Sequence, residues 1–164
     1  MTDAAIDPIA LQKGEGEAFW FLGQLVTIKA SAETSGGGLA LIEAVARRGP
    51  GAPLHVHHND NEWFFVLEGE MAFWVGGTVI EAPAGSFVYG PQEIPHTFDV
   101  TSSQARFLLG TNPAGFESFV RMVGEPAKTL TLPSPPDGPP DMPALVAAAE
   151  QVGIEILGPP GFPA

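Results

Sequence analysis

Glycine and proline divide this chain into a succession of short apolar segments. Of its 164 residues, 20 are Gly and 17 are Pro, and both interrupt regular structure, because Gly favours turns and Pro lacks a backbone donor. Short apolar segments separated by such turns are typical of antiparallel sandwiches and barrels. We therefore predict an all-β fold, an antiparallel β-barrel or jelly roll. The predicted strands are residues 19–22, 25–30, 38–46, 54–57, 62–68, 71–75, 78–81, 86–89, 96–100 and 105–109.

The residue pattern changes after these strands. Asn112 is a favourable helix cap and Pro113 a favourable first-turn residue, so the pair predicts the start of a helix, which Gly124 ends. Too little chain follows for a second domain. We predict one domain over residues 1–164, with a barrel core at about 19–110 and C-terminal helices with a Pro-rich arm at about 111–164. In this last part the sequence predicts an extended arm over residues 133–143, a helix from Asp141 to about Val152 and a strand over residues 154–157.

The charge of the chain argues against two classes of partner. Its formal net charge is -12 with only 7 Lys and Arg residues, whereas proteins that bind nucleic acid or anionic membranes present a cationic patch. No apolar run approaches the roughly 20 residues that a membrane-spanning helix needs. The chain has no Cys, and its N-terminus lacks the features of a signal peptide. We expect a cytoplasmic protein without nucleic-acid or membrane partners.

Two histidines and a glutamate stand at a spacing that suits a metal ion. Side chains alternate faces along a strand, so His55 and His57 project from one face, roughly 6.6 Å apart. Residues 58–61 read His-Asn-Asp-Asn and favour a turn, because Asn and Asp bond their own backbone. A reversal at this turn returns Glu62 to the two imidazoles.

A third histidine, His96, follows a second β-type stretch, and the chain contains only 4 His. A hydrogen-bonded cluster without an ion is the simpler interpretation, yet such polar groups inside an apolar barrel are costly without a compensating partner. A divalent cation supplies that partner by holding the imidazoles neutral and the carboxylate ionised. We predict one divalent transition metal per chain on His55, His57, Glu62 and His96. Fe, Mn, Ni, Co, Cu and Zn all suit these ligands.

The two stretches together resemble the paired motifs of the cupin superfamily. The first motif, Gly-x5-His-x-His-x4-Glu-x6-Gly, is matched at Gly49, His55, His57, Glu62 and Gly69. The second, Gly-x5-Pro-x4-His-x3-Asn, is matched at Gly85, Pro91 and His96 and departs at Val100. The resemblance implies a cupin-type antiparallel jelly roll with short C-terminal helices, and it implies the same four metal ligands.

The flanking segments at residues 23–28, 112–119 and 124–127 are similar to small single-domain bacterial cupins that include quercetin dioxygenase-like proteins. This resemblance implies a metal-dependent dioxygenase that acts, with dioxygen, on a small apolar chelating substrate of flavonol or enol type. Glu62 would be its catalytic base. Two alternatives stay open: a non-oxidative metal-dependent isomerase, lyase or cyclase, and a small-molecule-binding cupin without catalysis.

The apolar residues around the predicted ligands suggest a pocket and an interface. Phe64 lies two residues beyond Glu62, and Phe98 two beyond His96, so each shares a strand face with its ligand and is a candidate for the substrate pocket. The opposite face of the strand over residues 62–68 is also apolar and requires cover. We expect the C-terminal arm or a second subunit to cover it, and we favour a homodimer.

Overall fold

The computed structural model describes residues 5–164, and antiparallel strands dominate it. The strands are β1 Glu17–Phe21, β2 Gln24–Ala30, β3 Ala40–Pro50, β4 Pro53–His57, β5 Asn61–Glu68, β6 Glu70–Val75, β7 Thr78–Pro83, β8 Phe87–Gly90, β9 His96–Asn112, β10 Glu125–Pro126 and β11 Ile154–Pro160. The helices are α1 Ala32–Ser35, α2 Phe116–Val123 and α3 Met142–Glu150. The predicted all-β class with short C-terminal helices is confirmed.

Strand β9 organises the sheet. It pairs with β3, β4, β5 and β6, and every pairing among the described residues is antiparallel. One path through the sheet runs β10-β1-β2-β3-β9-β4-β11, while β8 extends from β5 and β7 from β6. This arrangement is a jelly roll in which the strands that carry the predicted ligands are neighbours.

The prediction of two strands at 96–100 and 105–109 is wrong, because β9 is continuous from His96 to Asn112. The polar segment between them stays within the sheet. Ser102 Oγ accepts a hydrogen bond from Glu70 N at 2.9 Å and donates one to Gln104 O at 2.7 Å. These bonds satisfy backbone groups that a loop would have exposed to water. Strand β9 therefore pairs with β6 through its first part and with β5 through its second part.

The prediction of a helix start at Asn112 and Pro113 is also wrong. Asn112 is the last residue of β9, where its Nδ2 donates to Gly38 O at 3.0 Å. Helix α2 begins three residues beyond Pro113, with Gly115 as its N-cap. The carboxylate of Glu117 accepts from Gly115 N at 2.8 Å, so an acid in the first turn bonds the backbone of the N-cap residue, and the cap is a glycine rather than the predicted Asn.

The C-terminal region agrees more closely with its prediction. Helix α3 follows Asp141, whose carboxylate accepts from Ala144 N at 3.2 Å, although the helix ends at Glu150 rather than about Val152. Strand β11 forms and pairs with β4. The Pro-rich arm has no helix or strand before α3, and Arg47 holds it against the sheet by donating to Pro133 O at 2.7 Å. None of the helices in the described residues is long and apolar enough to span a membrane.

Strand β5 shows how the core is divided from the outer face. Glu62, Phe64 and Val66 are buried, whereas the residues between them are only half-buried, as the period-2 pattern predicts. The Phe64 ring lies 4.9 Å from the Phe73 ring and 5.7 Å from the Phe98 ring, measured between centroids. This aromatic cluster fills the barrel beneath the predicted ligands.

Candidate metal centre

The three predicted histidine ligands converge on a carboxylate oxygen of the fourth ligand, Glu62. Glu62 Oε2 lies 2.7 Å from His96 Nε2, 3.0 Å from His57 Nε2 and 3.6 Å from His55 Nε2. One donor atom from each of the four side chains lies within 4.8 Å of all the others. A single ion at the centre of this group would reach every donor with small side-chain movements, since nitrogen–metal and oxygen–metal bonds measure about 2.0–2.2 Å.

The pairing of the strands fixes this convergence. His55 and His57 share the inward face of β4, and His55 lies directly across from His96 on β9. On its other edge β4 is held by β11, with Ile154 opposite His57 and Ile156 opposite His55. Both histidine-bearing strands are therefore held in place by neighbours, and the ligands lie on sheet rather than on loops.

A separate acceptor orients each imidazole ring. Nδ1 of His55 donates to Pro53 O at 2.7 Å, and Nδ1 of His96 donates to Ile94 O at 3.1 Å. Nδ1 of His57 meets the Asp60 carboxylate at 2.8 Å. With Nδ1 engaged in each case, Nε2 of all three rings faces the centre, and a second ring nitrogen bonded to an acceptor is usual for metal-binding histidines.

The four side chains are shielded from water, and their burial and mutual charges shift their pKa values. His57 and His96 are fully buried, Glu62 is 1% exposed and His55 is 8% exposed. Burial lowers the pKa of His55. Burial also opposes the charged form of His57, but the Glu62 and Asp60 carboxylates outweigh it and raise the pKa of His57 to about 10. The positive charge on His57 in turn holds the pKa of Glu62 well below its usual value, against the effect of burial.

One buried atom shows that a divalent cation suits this group of donors. His57 Nε2 is completely enclosed and has no hydrogen-bond partner, although Glu62 Oε2 is only 3.0 Å away. Leaving a buried polar atom without a partner is costly. A cation would bond this nitrogen directly, and its positive charge would replace the charge that the imidazolium proton supplies. Three imidazole nitrogens and one carboxylate oxygen are suitable donors for a divalent transition metal.

His58, the fourth histidine, lies outside the group. Its side chain is 39% exposed and stands between two carboxylates, with Glu93 Oε2 at 2.9 Å from Nδ1 and Glu155 Oε2 at 2.9 Å from Nε2. Strand β4 ends at His57, and the His58 side chain lies between these two carboxylates rather than in the buried group. His58 is therefore a matched neighbour for tests of the buried ligands.

An apolar cavity of about 50 Å³ reaches the site at His55 and Glu62. Phe98, one of the two predicted pocket residues, lines it. Phe64, the other, is packed in the core with its ring 6.3 Å from His96. Most of the wall consists of aromatic and aliphatic side chains. The phenylalanines of the wall are Phe21, Phe98, Phe116 and Phe119.

Two contributors to the site had escaped the sequence analysis. Gln24 lines the cavity and is 7% exposed, and its Nε2 donates to Gly51 O at 2.7 Å. Asp60 is 5% exposed and orients His57. Asp60 had been assigned only to the turn, and its position three residues after His57 is the one signal that could have indicated its second role. No pattern distinguished Gln24.

The sequence profile of the cupin domain matches residues 42–109 of this chain. That range contains all four converging side chains and all of strands β4 to β8. The chain contains a cupin domain. The resemblance drawn from the two motifs is confirmed, and the fold around the site is a cupin jelly roll.

One known protein is similar to this chain in sequence, and two others are similar in fold. Quercetin 2,3-dioxygenase of Bacillus subtilis is 28% identical over 136 residues, which cover 83% of this chain and 40% of that enzyme. The chain thus spans about two-fifths of the length of the curated relative it matches. A predicted oxalate decarboxylase of Thermotoga maritima superposes with a TM-score of 0.58 at 18% identity, covering 64% of this chain and 99% of that one. A Streptomyces PAC13 variant with uridine gives 0.55 at 16% identity, covering 66% and 84%. These two likenesses concern the cupin fold alone.

Proposed function

We propose that this cupin is a metal-dependent dioxygenase that acts on a small, apolar, chelating substrate of flavonol or enol type. The observation that carries the proposal is the convergence of His55, His57, Glu62 and His96 beside an apolar cavity, which His55 and Glu62 line. These four residues would hold one divalent transition metal per chain. The relation to quercetin 2,3-dioxygenase, at 28% identity over most of this chain, supports the oxidative reaction over other cupin chemistries.

The cavity wall favours an apolar substrate. Apart from His55 and Glu62 at the metal centre, Gln24 carries the one polar side chain among the lining residues. A charged molecule would lose its hydration there without recovering hydrogen bonds. An uncharged aromatic or enol-type molecule loses little and gains contact with the phenylalanine rings.

The residues around the cavity also provide an acceptor for the proton of the substrate hydroxyl. A bound transition metal would supply a Lewis-acidic centre for substrate oxygens and, when redox-active, a path for electrons to dioxygen. Glu62 has the one carboxylate in the cavity wall, so it is the acceptor for the proton of an enol or flavonol hydroxyl. Asp60 keeps His57 in one orientation throughout, and burial excludes water that would compete for the proton.

Metal analysis followed by an oxygen-electrode screen tests the proposal. We expect about one transition metal per chain by elemental analysis. We also expect oxygen uptake in proportion to substrate loss with one or more of quercetin, 3-hydroxyflavone and aryl 1,3-diketones. Turnover that continues unchanged without oxygen would replace the dioxygenase with a non-oxidative isomerase, lyase or cyclase. Substrates that bind and are recovered intact under all conditions would indicate a binding protein.

We further propose that the outer face of β5 and β8 forms a homodimer interface. Phe87 and Tyr89 are 60% and 47% exposed and lie directly across from Phe65 and Trp63. Leu108 of β9 extends this apolar face on the other side of Phe65. The described residues of this chain leave about half of each of these two side chains uncovered, and apolar patches of this kind commonly mark an interface.

Substitution of Phe87 by glutamate tests this interface. We expect the wild-type protein to elute at twice the chain mass in size-exclusion chromatography with light scattering, and Phe87→Glu to elute as a monomer, because the interface would bury an unpaired charge. Val79→Glu is the matched control, since Val79 is 55% exposed on β7, outside this face. A monomeric wild-type protein at high micromolar concentration would refute the proposal.

A further inference from the structure

We propose that Thr111 positions Glu62, and that its hydroxyl donates to the carboxylate oxygen that a metal ion at the centre would leave free. The inference rests on the proposed metal ligands, because it assigns the partner of one of them. It does not depend on the oxidative reaction, since metal affinity and the stability of the metal-free protein are the quantities that test it.

The Thr111 hydroxyl is buried and has no partner. Thr111 is 0% exposed, and its Oγ1 is one of three buried side-chain nitrogen or oxygen atoms without a hydrogen bond among residues 5–164; His57 Nε2 is another. Thr97, which is equally buried on β9, shows the usual arrangement, because its Oγ1 donates to Ala52 O at 2.8 Å. Valine has nearly the shape of threonine and would fill the position of Thr111 without the cost of an unpaired hydroxyl. The hydroxyl therefore points to a partner that it meets in another state of the protein.

The strand register places Thr111 directly across from Glu62. The two residues are partners in the pairing of β5 with β9, and directly opposite residues project from the same face with Cβ atoms about 4.5–5.5 Å apart. That face is the inner one, because Glu62 is 1% exposed and Leu109, two residues before Thr111, lines the apolar cavity. The hydroxyl and the carboxylate are therefore neighbours inside the jelly roll.

The other cross-strand neighbours of this pair carry no polar side chain. On its β8 side Glu62 lies opposite Gly90, where an added Cβ would come within 3.2 Å of the His96 ring. On its β3 side Thr111 lies opposite Ala40, which is also fully buried. The glycine thus makes room for a ligand ring, and neither neighbour can bond the hydroxyl or the carboxylate through a side chain. Among these cross-strand neighbours, Thr111 and Glu62 are the two polar side chains that can pair.

The second oxygen of the Glu62 carboxylate suits the Thr111 hydroxyl. Glu62 contacts the three imidazole Nε2 atoms through Oε2, and no donor in the described part of the chain hydrogen-bonds to its Oε1. A metal ion bound through one oxygen would leave the other free. An ionised carboxylate can only accept and a hydroxyl can donate, so the two groups are complementary. Hydrogen bonds to a charged acceptor are stronger than neutral ones, and carboxylates that ligate metals are in turn hydrogen-bonded.

Thr111→Val should weaken zinc binding without destabilising the metal-free protein. Loss of a group that holds a ligand in place commonly costs about 10–100-fold in metal affinity. We therefore expect the zinc dissociation constant to rise by about tenfold or more, as measured by competition against a chromophoric chelator. In excess chelator the melting temperature should stay at the wild-type value or rise, because valine removes a buried hydroxyl that has no partner. Thr111→Ser restores a hydroxyl and should recover most of the zinc affinity.

Thr97→Val is the matched control for stability. The Thr97 hydroxyl is paired, so its loss leaves Ala52 O without that donor and should lower the melting temperature of the metal-free protein. Opposite effects at two fully buried threonines of one strand would show that the Thr111 hydroxyl does not stabilise the metal-free fold. A structure of the zinc-loaded protein should also place Thr111 Oγ1 about 2.5–3.0 Å from Glu62 Oε1.

The results also separate the role of Thr111 from the proposed function. Wild-type zinc affinity in Thr111→Val would overturn the inference while the metal centre stands. A lower melting temperature of metal-free Thr111→Val, or equal losses of affinity in the valine and serine variants, would assign Thr111 to packing and overturn it as well. The expected pattern without any oxygen uptake would support the role of Thr111 and count against the dioxygenase. If the wild-type protein binds no zinc, the proposed metal centre and this inference are both overturned.

Discussion

His57→Ala should lower the metal content of the purified protein from about one ion per chain to less than one tenth. The substitution removes a fully buried donor whose Nε2 lies 3.0 Å from Glu62 Oε2. It also leaves the Asp60 carboxylate, 5% exposed, without the imidazole it bonds at 2.8 Å. Loss of a residue that only orients a ligand commonly costs 10–100-fold in metal affinity, and loss of a ligand itself should cost at least as much.

The stability of the metal-free protein should fall as well. Leaving a buried carboxylate unpaired costs about 1–3 kcal/mol, and the space vacated by the imidazole adds to that cost. Chemical denaturation in the presence of a chelator measures this loss. Added zinc should raise the melting temperature of the wild-type protein and leave that of His57→Ala nearly unchanged, because ligands stabilise only the state that binds them.

His58→Ala is the control for this experiment. His58 is the next residue, but its side chain is 39% exposed and contacts only Glu93 and Glu155 among the carboxylates. We expect its metal content and its response to zinc to match those of the wild-type protein. Full metal occupancy in His57→Ala, or an equal loss in both variants, would mean that the assigned ligand set is wrong.

The convergence of the candidate ligands was predictable in part, because much of its geometry follows from strand alternation. A period of two residues places His55 and His57 on one face, and the Asn- and Asp-rich turn returns Glu62 to them. His96 came from the motif spacing, and the structure places it directly opposite His55. The relation of His55, His57 and Glu62 depends on local backbone rules alone, whereas His96 required the family pattern, because its pairing with His55 joins distant parts of the chain.

The features that were missed depend on contacts between distant parts of the chain. Gln24 enters the cavity wall because β2 passes the segment of Gly51, 27 residues away. The prediction of a helix start at Asn112 failed because β9 extends through that residue, which pairs with Asn61 of β5. Tertiary pairing thus overrides a favourable local cap. A similar limit applied to the Pro-rich arm: composition predicted its extended form, but only the structure shows that Pro136 and Pro140 line a cavity together with Pro50 and Pro53.

Glu62→Gln should abolish most turnover while keeping the fold. The amide has nearly the same shape as the acid, and all three histidines retain their Nδ1 acceptors. The amide cannot accept the proton of an enol hydroxyl at neutral pH. General-base catalysis typically contributes about 10²–10⁴-fold to a rate, so we expect kcat per bound metal to fall by that factor. Metal content should fall less than in His57→Ala, because the amide oxygen of Gln can still serve as a ligand, whereas Ala offers no donor.

Steady-state kinetics normalised to the measured metal content provide the test, with Glu117→Gln as the control. Glu117 is also 1% exposed, but its carboxylate accepts from Ala32 N and Gly115 N at the start of two helices rather than facing the cavity. Removing that charge should lower the melting temperature and leave turnover per metal unchanged. The two variants thus separate the loss of a buried carboxylate from the loss of the proton acceptor. Wild-type turnover per metal in Glu62→Gln would show that the substrate proton leaves by another route, since no other carboxylate among the described residues lines the apolar cavity at His55 and Glu62.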